Sequence, residues 1–119
     1  MELIEKVKQE KSEELIQSFD SKINQINHNN RVYKCDLENI IDIEGLLILQ
    51  DAHILGYKDM STGNSTSSNH TVNQLTSLLR AIKVHRGNLK LKKYNLLNTI
   101  KSYSTENDVI TCIELDITL

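Results

Sequence analysis

The chain contains neither proline nor tryptophan, and its aromatic residues are four tyrosines and one phenylalanine. Without proline, no helix has to kink around a ring that lacks an N–H. With so few rings, leucine and isoleucine must build the core. Cysteine is nearly absent too. Cys35 and Cys112 stand far apart, neither in a CxxC nor in another ligand spacing. They read as two reduced, partly buried thiols, and nothing in their spacing asks for a disulfide. Charge of one sign is also lacking. The net charge is −2 and the pI about 6.1, a weak basis for general binding to nucleic acid or a membrane surface. The longest apolar stretch, from Ile40 to Leu55, is broken by Asp42, Glu44, Gln50, Asp51 and His53, so it is not read as a membrane span. The opening residues Met1 to Lys6 are charged and amphipathic, unlike a secretory signal, so export by a signal peptide is not expected.

Motifs that carry chemistry are missing as well. No HExxH, GxSxG, P-loop or GxGxxG occurs. The four histidines, His28, His53, His70 and His85, include no pair at helical i,i+3 or i,i+4 spacing that would hold a metal. Glu10, Glu13 and Glu14 read as a solvated face, and Asp42 and Glu44 as charges favoured near a helix start. Neither an enzyme nor a cofactor is expected from these residues, and no metal site.

What is present is a helical pattern. Residues 2 to about 28 predict one helix, with Ile16, Phe19, Ile23 and Ile26 recurring every three or four positions as an apolar stripe. Residues 8 to 14 interrupt the stripe, and Lys11 and Glu14 can pair one turn apart on the solvent side. The stripe serves either a coiled coil or a helix packed on its own domain, and both readings stand. His28-Asn29-Asn30 ends the helix, because Asn tolerates the left-handed exit. Arg31 to Cys35 alternates as a short strand. Asp36 then caps a second helix whose apolar residues, Leu37 to Leu55, cover most of its circumference. This predicts a buried central helix. Gly45 lies inside it and costs roughly 1 kcal/mol relative to alanine, which suggests that another backbone comes close. Ser61 to Asn69 reads as a mobile loop, and its two glycosylation sequons as chance matches. Thr71-Val72-Asn73-Gln74 is a capping box opening a third helix that runs to about Tyr103, with Gly87 as its weak point. Thr105 and Asp108 open a last short helix through Cys112.

A basic run, Lys83, His85, Arg86, Lys90, Lys92, Lys93 and Lys101, lies on the third helix. Such a run is ordinarily a solvated face. Its partner-binding candidates are Lys90, Lys92, Lys93 and Tyr94, facing an acidic partner or phosphates.

Several of these segments resemble a family of phage tail and tail-fibre domains of unknown function. Val32-Tyr33-Lys34-Cys35-Asp36 followed by Asp42-Ile43-Glu44-Gly45 is similar to the family's opening strand and the Asn-Ile-Gln-Gly-like step after it. The glycine spacing is kept, while acids replace Asn and Gln. Tyr57, Asp59, Asn69 and Thr71 resemble its middle, and His85, Leu96, Leu97 and Ile100 its long helix. Val7-Lys8, Lys11, Glu14-Leu15 and Ile23 resemble a lysine-rich helix that precedes the domain in some tail proteins. The likeness covers roughly residues 7 to 116 and brings no catalytic residues with it.

The resulting expectation is a helix-rich α+β fold: an N-terminal helix, one to three short strands, two long packed helices and a short C-terminal helix. Residues 1–29 form an oligomerisation helix and residues 30–119 a small tail-fibre-associated domain. The resemblance implies a tail, fibre or baseplate component in the virion, or in the bacterial cytoplasm during assembly, contacting other tail or fibre proteins. It also implies a trimer, with Ile16, Phe19, Ile23 and Ile26 as the self-association surface. The alternatives are a soluble tail assembly chaperone and a small regulator that grips an acidic partner or DNA. Nucleic acid is the less expected ligand, and no membrane is implied.

Overall fold

A computed structural model describes residues 2–119. The elements are α1 (Leu3–Lys22), β1 (Gln25–His28), β2 (Arg31–Lys34), α2 (Leu37–Leu49), β3 (His53–Asp59), β4 (Ser65–His70), α3 (Val72–Ser102), a 3-10 turn (Glu106–Asp108) and α4 (Val109–Glu114). The fold is α+β and helix-rich as expected, with four strands rather than one to three. The chain forms two compact units, residues 23–87 and residues 1–22 with 88–119, and α3 contributes to both. The boundary expected after residue 29 therefore falls after residue 22. The first helix belongs with the C-terminal residues instead of standing apart from them.

In the unit of residues 23–87, an antiparallel sheet is ordered β1-β2-β3-β4. Asn29 and Asn30 have φ of 51° and 60° and join β1 to β2 through two residues. That is the backbone a hairpin with the native strand twist requires. Asparagine's left-handed tolerance thus serves a hairpin here, not a helix exit. The predicted first helix stops at Lys22 for the same reason: Gln25–His28 pair with β2, and Ile26 points into the sheet core. The second hairpin turns at Gly63, with φ of 72°. Asp59 steadies the turn, accepting from the Ser61 N–H at 2.8 Å. Residues 65–70, expected to lie in a mobile loop, are strand β4 in register with β3. Its Ser/Thr/Asn composition suits an edge strand whose side chains face water.

Beneath the sheet, Ile26, Tyr33 and Cys35 pack with Ile40 and Ile43 of α2 and Leu75, Leu78 and Ile82 of α3. The helix starts are as read from the sequence. Asp36 accepts from the Asn39 N–H at 2.9 Å, and Thr71 and Gln74 bond reciprocally. Arg86, expected on a basic outer face, instead donates to the Ile23 carbonyl at 2.9 Å and the Cys35 carbonyl at 2.8 Å. It ties the entry of β1 to the exit of β2.

In the unit of residues 1–22 and 88–119, Ile4, Val7, Leu15 and Phe19 form the buried row of α1. Lys11 occupies the gap in that row. It does not pair with Glu14 but reaches the Ile113 carbonyl at 2.7 Å, while Lys8 reaches the Tyr103 carbonyl at 2.6 Å. Long lysine stems can bridge a break in an apolar stripe because the ammonium still finds an acceptor. Ile4 and Val7 meet Cys112. Asp108 accepts from the Ser104 and Thr105 N–H groups, as its predicted capping role requires.

Both thiols are free and buried, and burial pushes each above the ordinary cysteine range. A thiol reacts as its thiolate, so native protein at neutral pH should label slowly with iodoacetamide and both sites rapidly in denaturant. A fast-labelling thiol in the native protein would contradict the burial. Ile23, 6% exposed, is part of the folded interior. Ile23→Asp should therefore unfold the protein, by about 3 kcal/mol or more in a urea melt for a buried charge without a partner. Retained stability with a reduced native mass would restore the interface reading.

Candidate protein-docking surfaces

The register between β2 and β3 contains two pairs, Arg31↔Asp59 and Val32↔Lys58. Beyond them the hairpins part, and a cleft of about 630 Å³ opens between β2, β3 and α2. Tyr33, Ile43, Leu55, Tyr57 and Leu78 form its apolar part, with Lys34, Lys58 and Asp42 as its charged groups. No histidine, cysteine or second carboxylate lines it.

Side chains hold the parted hairpins where the ladder does not. Tyr33 and His70, 4% and 2% exposed, bond between OH and Nε2 at 2.8 Å. His70 Nδ1 lies 2.8 Å from the Ser68 carbonyl, which can only accept. Nδ1 therefore carries a proton. Nε2 accepting from the Tyr33 hydroxyl leaves that oxygen to accept from Arg31 at 3.3 Å, which satisfies all three groups. The Arg31 guanidinium also stands 4.2 Å from the Tyr57 ring centroid, a cation–π contact. Among the described residues no three histidine, cysteine, aspartate or glutamate side chains gather as a metal site. His70 ties β4 to β2 through the Tyr33 bond. The sequence offered no signal for this, because its partner lies 37 residues away.

The larger unassigned feature is the outward side of α2. Ile40 and Ile43 are buried, and Leu46 and Leu47 are partly covered. Leu37 is 65% exposed, Ile41 67%, Ile48 82% and Leu49 69%. The expected buried central helix is therefore covered on one side only. Leu37, Ile41, Gly45 and Ile48 follow one another at spacings of four, four and three, which places them on one face. A Cβ built on Gly45 would meet nothing within 4 Å. The close approach its sequence position suggests is not made within the chain. Glu38, Asp42 and Glu44 are the helix's charges, and it has no lysine or arginine.

The sequence-derived candidates divide. Phe19, Ile23 and Ile26 are buried by the chain itself, Phe19 and Ile26 in different units. Ile16, at 40%, is the exposed member. The four do not form a free stripe, because the helix they were assigned to ends before Ile23. Lys90, Lys92 and Tyr94 are exposed, whereas the Lys93 ammonium sits 4.1 Å over the Phe19 ring. Leu91, which was not singled out, is 60% exposed beside Tyr94 at 62%. No described helix is long and apolar enough to cross a membrane. Comparison with protein-family models, with curated proteins and with solved structures returns no match.

Tyr33→Phe removes the hydroxyl and leaves His70 Nε2 buried without a partner. It should cost about 1–3 kcal/mol in a chemical melt, with native helicity kept. An unchanged midpoint would show that the hairpins do not depend on this bond.

Proposed function

We propose that the chain is an assembly component of a phage, prophage or phage-like tail, acting by protein–protein contact. The observation that carries the docking part of this reading is the uncovered apolar face of α2. Full burial of a leucine or isoleucine side chain contributes about 1.5–3 kcal/mol. Leaving several of them in water on one helix face is the pattern of a surface that is covered in a complex. Losing association freedom costs about 4–15 kcal/mol. A single row of Leu37, Ile41 and Ile48 offsets only the lower part of that range, so contact through it is weak or is shared with polar groups nearby. Weak, repeated contacts suit an assembly in which each copy meets several neighbours.

The tail assignment itself rests on the resemblance of residues 7 to 116 to tail and tail-fibre domains. It would place the protein in the virion, or in the bacterial cytoplasm while particles are built. The neighbours it implies are other tail or fibre proteins, and further copies of the chain.

Mass spectrometry of particles purified from cells making the chain tests the assignment: a component is present in them and an assembly chaperone is missing. Ile41→Asp tests the docking face in the same preparation. Ile41 is exposed, so the substitution should leave circular dichroism and thermal stability nearly unchanged while depleting the chain from particles at least tenfold. Normal incorporation of a folded Ile41→Asp protein would contradict the proposed face.

A further inference from the structure

The two helices that carry exposed apolar residues bear charges of opposite sign. All three charged residues of α2 are acidic, Glu38, Asp42 and Glu44. In α3 the charges are Arg80, Lys83, Arg86, Lys90, Lys92, Lys93 and Lys101, with no aspartate or glutamate. Some of these cations are engaged internally: Arg86 on the Ile23 and Cys35 carbonyls, Lys93 on Phe19, and Lys83 beside Glu44 at 3.9 Å. Lys90, Tyr94, Asn98 and Lys101 follow at spacings of four, four and three and are all exposed. Leu91 lies beside them, also exposed. This basic–apolar face of Leu91 and Tyr94 belongs to the unit of residues 1–22 and 88–119, and the apolar face of α2 to the other unit.

We propose that the α2 face of one molecule docks on the Leu91–Tyr94 face of α3 in a second copy. Three observations select this occupant. First, α2 carries acids and no cation, with Glu38 exposed, Asp42 at the cleft and Glu44 beside Lys83, so pairing α2 with α2 sets acid against acid, whereas pairing α2 with α3 sets Glu38 against lysines and lowers the energy of the contact. Second, both faces carry exposed large apolar side chains that gain from mutual burial. Third, Gly45 lies open on the α2 face beside Ile41 and Ile48. A partner side chain as large as Tyr94 can settle there without meeting a Cβ. Because the two faces differ, a single contact leaves the pair with one face of each kind unfilled, unless both contacts form at once in a two-fold dimer. Such contacts close into rings or extend as filaments, according to the rotation between neighbours. The inference rests on the reading of α2 as a docking face, and adds the partner.

The test is light scattering after size exclusion, on the full chain across a dilution series at low and high salt. The mass should exceed the 13.6 kDa of one chain at high concentration and fall towards it on dilution or added salt. Ile41→Asp and Leu91→Asp, both at exposed positions, should each give a folded monomer. An equimolar mixture of the two should recover a one-to-one dimer, because each variant retains the face the other has lost. A wild-type monomer at every concentration overturns the self-docking, and so does a mixture that stays monomeric. Association that survives Leu91→Asp but not Ile41→Asp overturns the α3 partner and leaves α2 as a docking face. Association that survives Ile41→Asp overturns both. Depletion of Ile41→Asp from particles, with a monomeric wild type, would leave α2 docking on another protein.

Discussion

Helix α2 has apolar residues around almost its whole circumference, and its unit covers one side of it. Ile40 and Ile43 face the core, while Leu37, Ile41 and Ile48 face water. A helix that is apolar all round is normally enclosed. Here the sheet with the first half of α3 supplies the covering layer on one side. The opposite side has none. The uncovered side also carries a glycine with open space beside it, so it differs in shape from the buried side as well as in exposure. The proposed assembly role depends on this one imbalance between what the sequence makes apolar and what the fold covers.

The sheet that covers α2 depends in turn on a few polar contacts. Two register pairs join β2 to β3, and the Met60 N–H donates to the Asn30 carbonyl beside them. The Tyr33–His70 bond ties β2 to β4 across β3, and Arg86 fastens the other end of the β1–β2 hairpin. The Tyr33–His70 bond is buried and the Arg86 bonds are partly buried, and losing Tyr33 would leave His70 unsatisfied in the interior. The placement of Ile40 and Ile43 against Leu75 and Leu78 requires the hairpins to hold their positions. The set of α2 residues left in water is therefore fixed partly by a buried tyrosine and histidine.

Local features were legible in the sequence because their partners are local. Asp36, Thr71 with Gln74, and Thr105 with Asp108 each bond within four residues. Features whose partners are distant were not. Gln25–His28 continues a helical apolar spacing, and only pairing with β2 makes it a strand. Ser65–His70 has the composition of a loop, and its ladder with β3 overrides that composition. Lys11 reads as half of an i,i+3 ion pair until the Ile113 carbonyl is brought to it. The apolar count of α2 was also legible, and it indicated burial. Which side would remain open depends on how many layers the chain can supply, and the pattern of one helix does not contain that. The candidates Lys90 and Tyr94 are exposed α3 residues, while the neighbouring Leu91 was not singled out from the sequence.

The most direct test is methyl NMR of the full chain over a concentration series. The account predicts concentration-dependent shifts confined to Leu37, Ile41, Ile48 and Leu91, with Ile40, Ile43, Leu75 and Leu78 unchanged. Shifts that spread through the buried methyls, or that leave the α2 face unaffected while other surfaces respond, would contradict it.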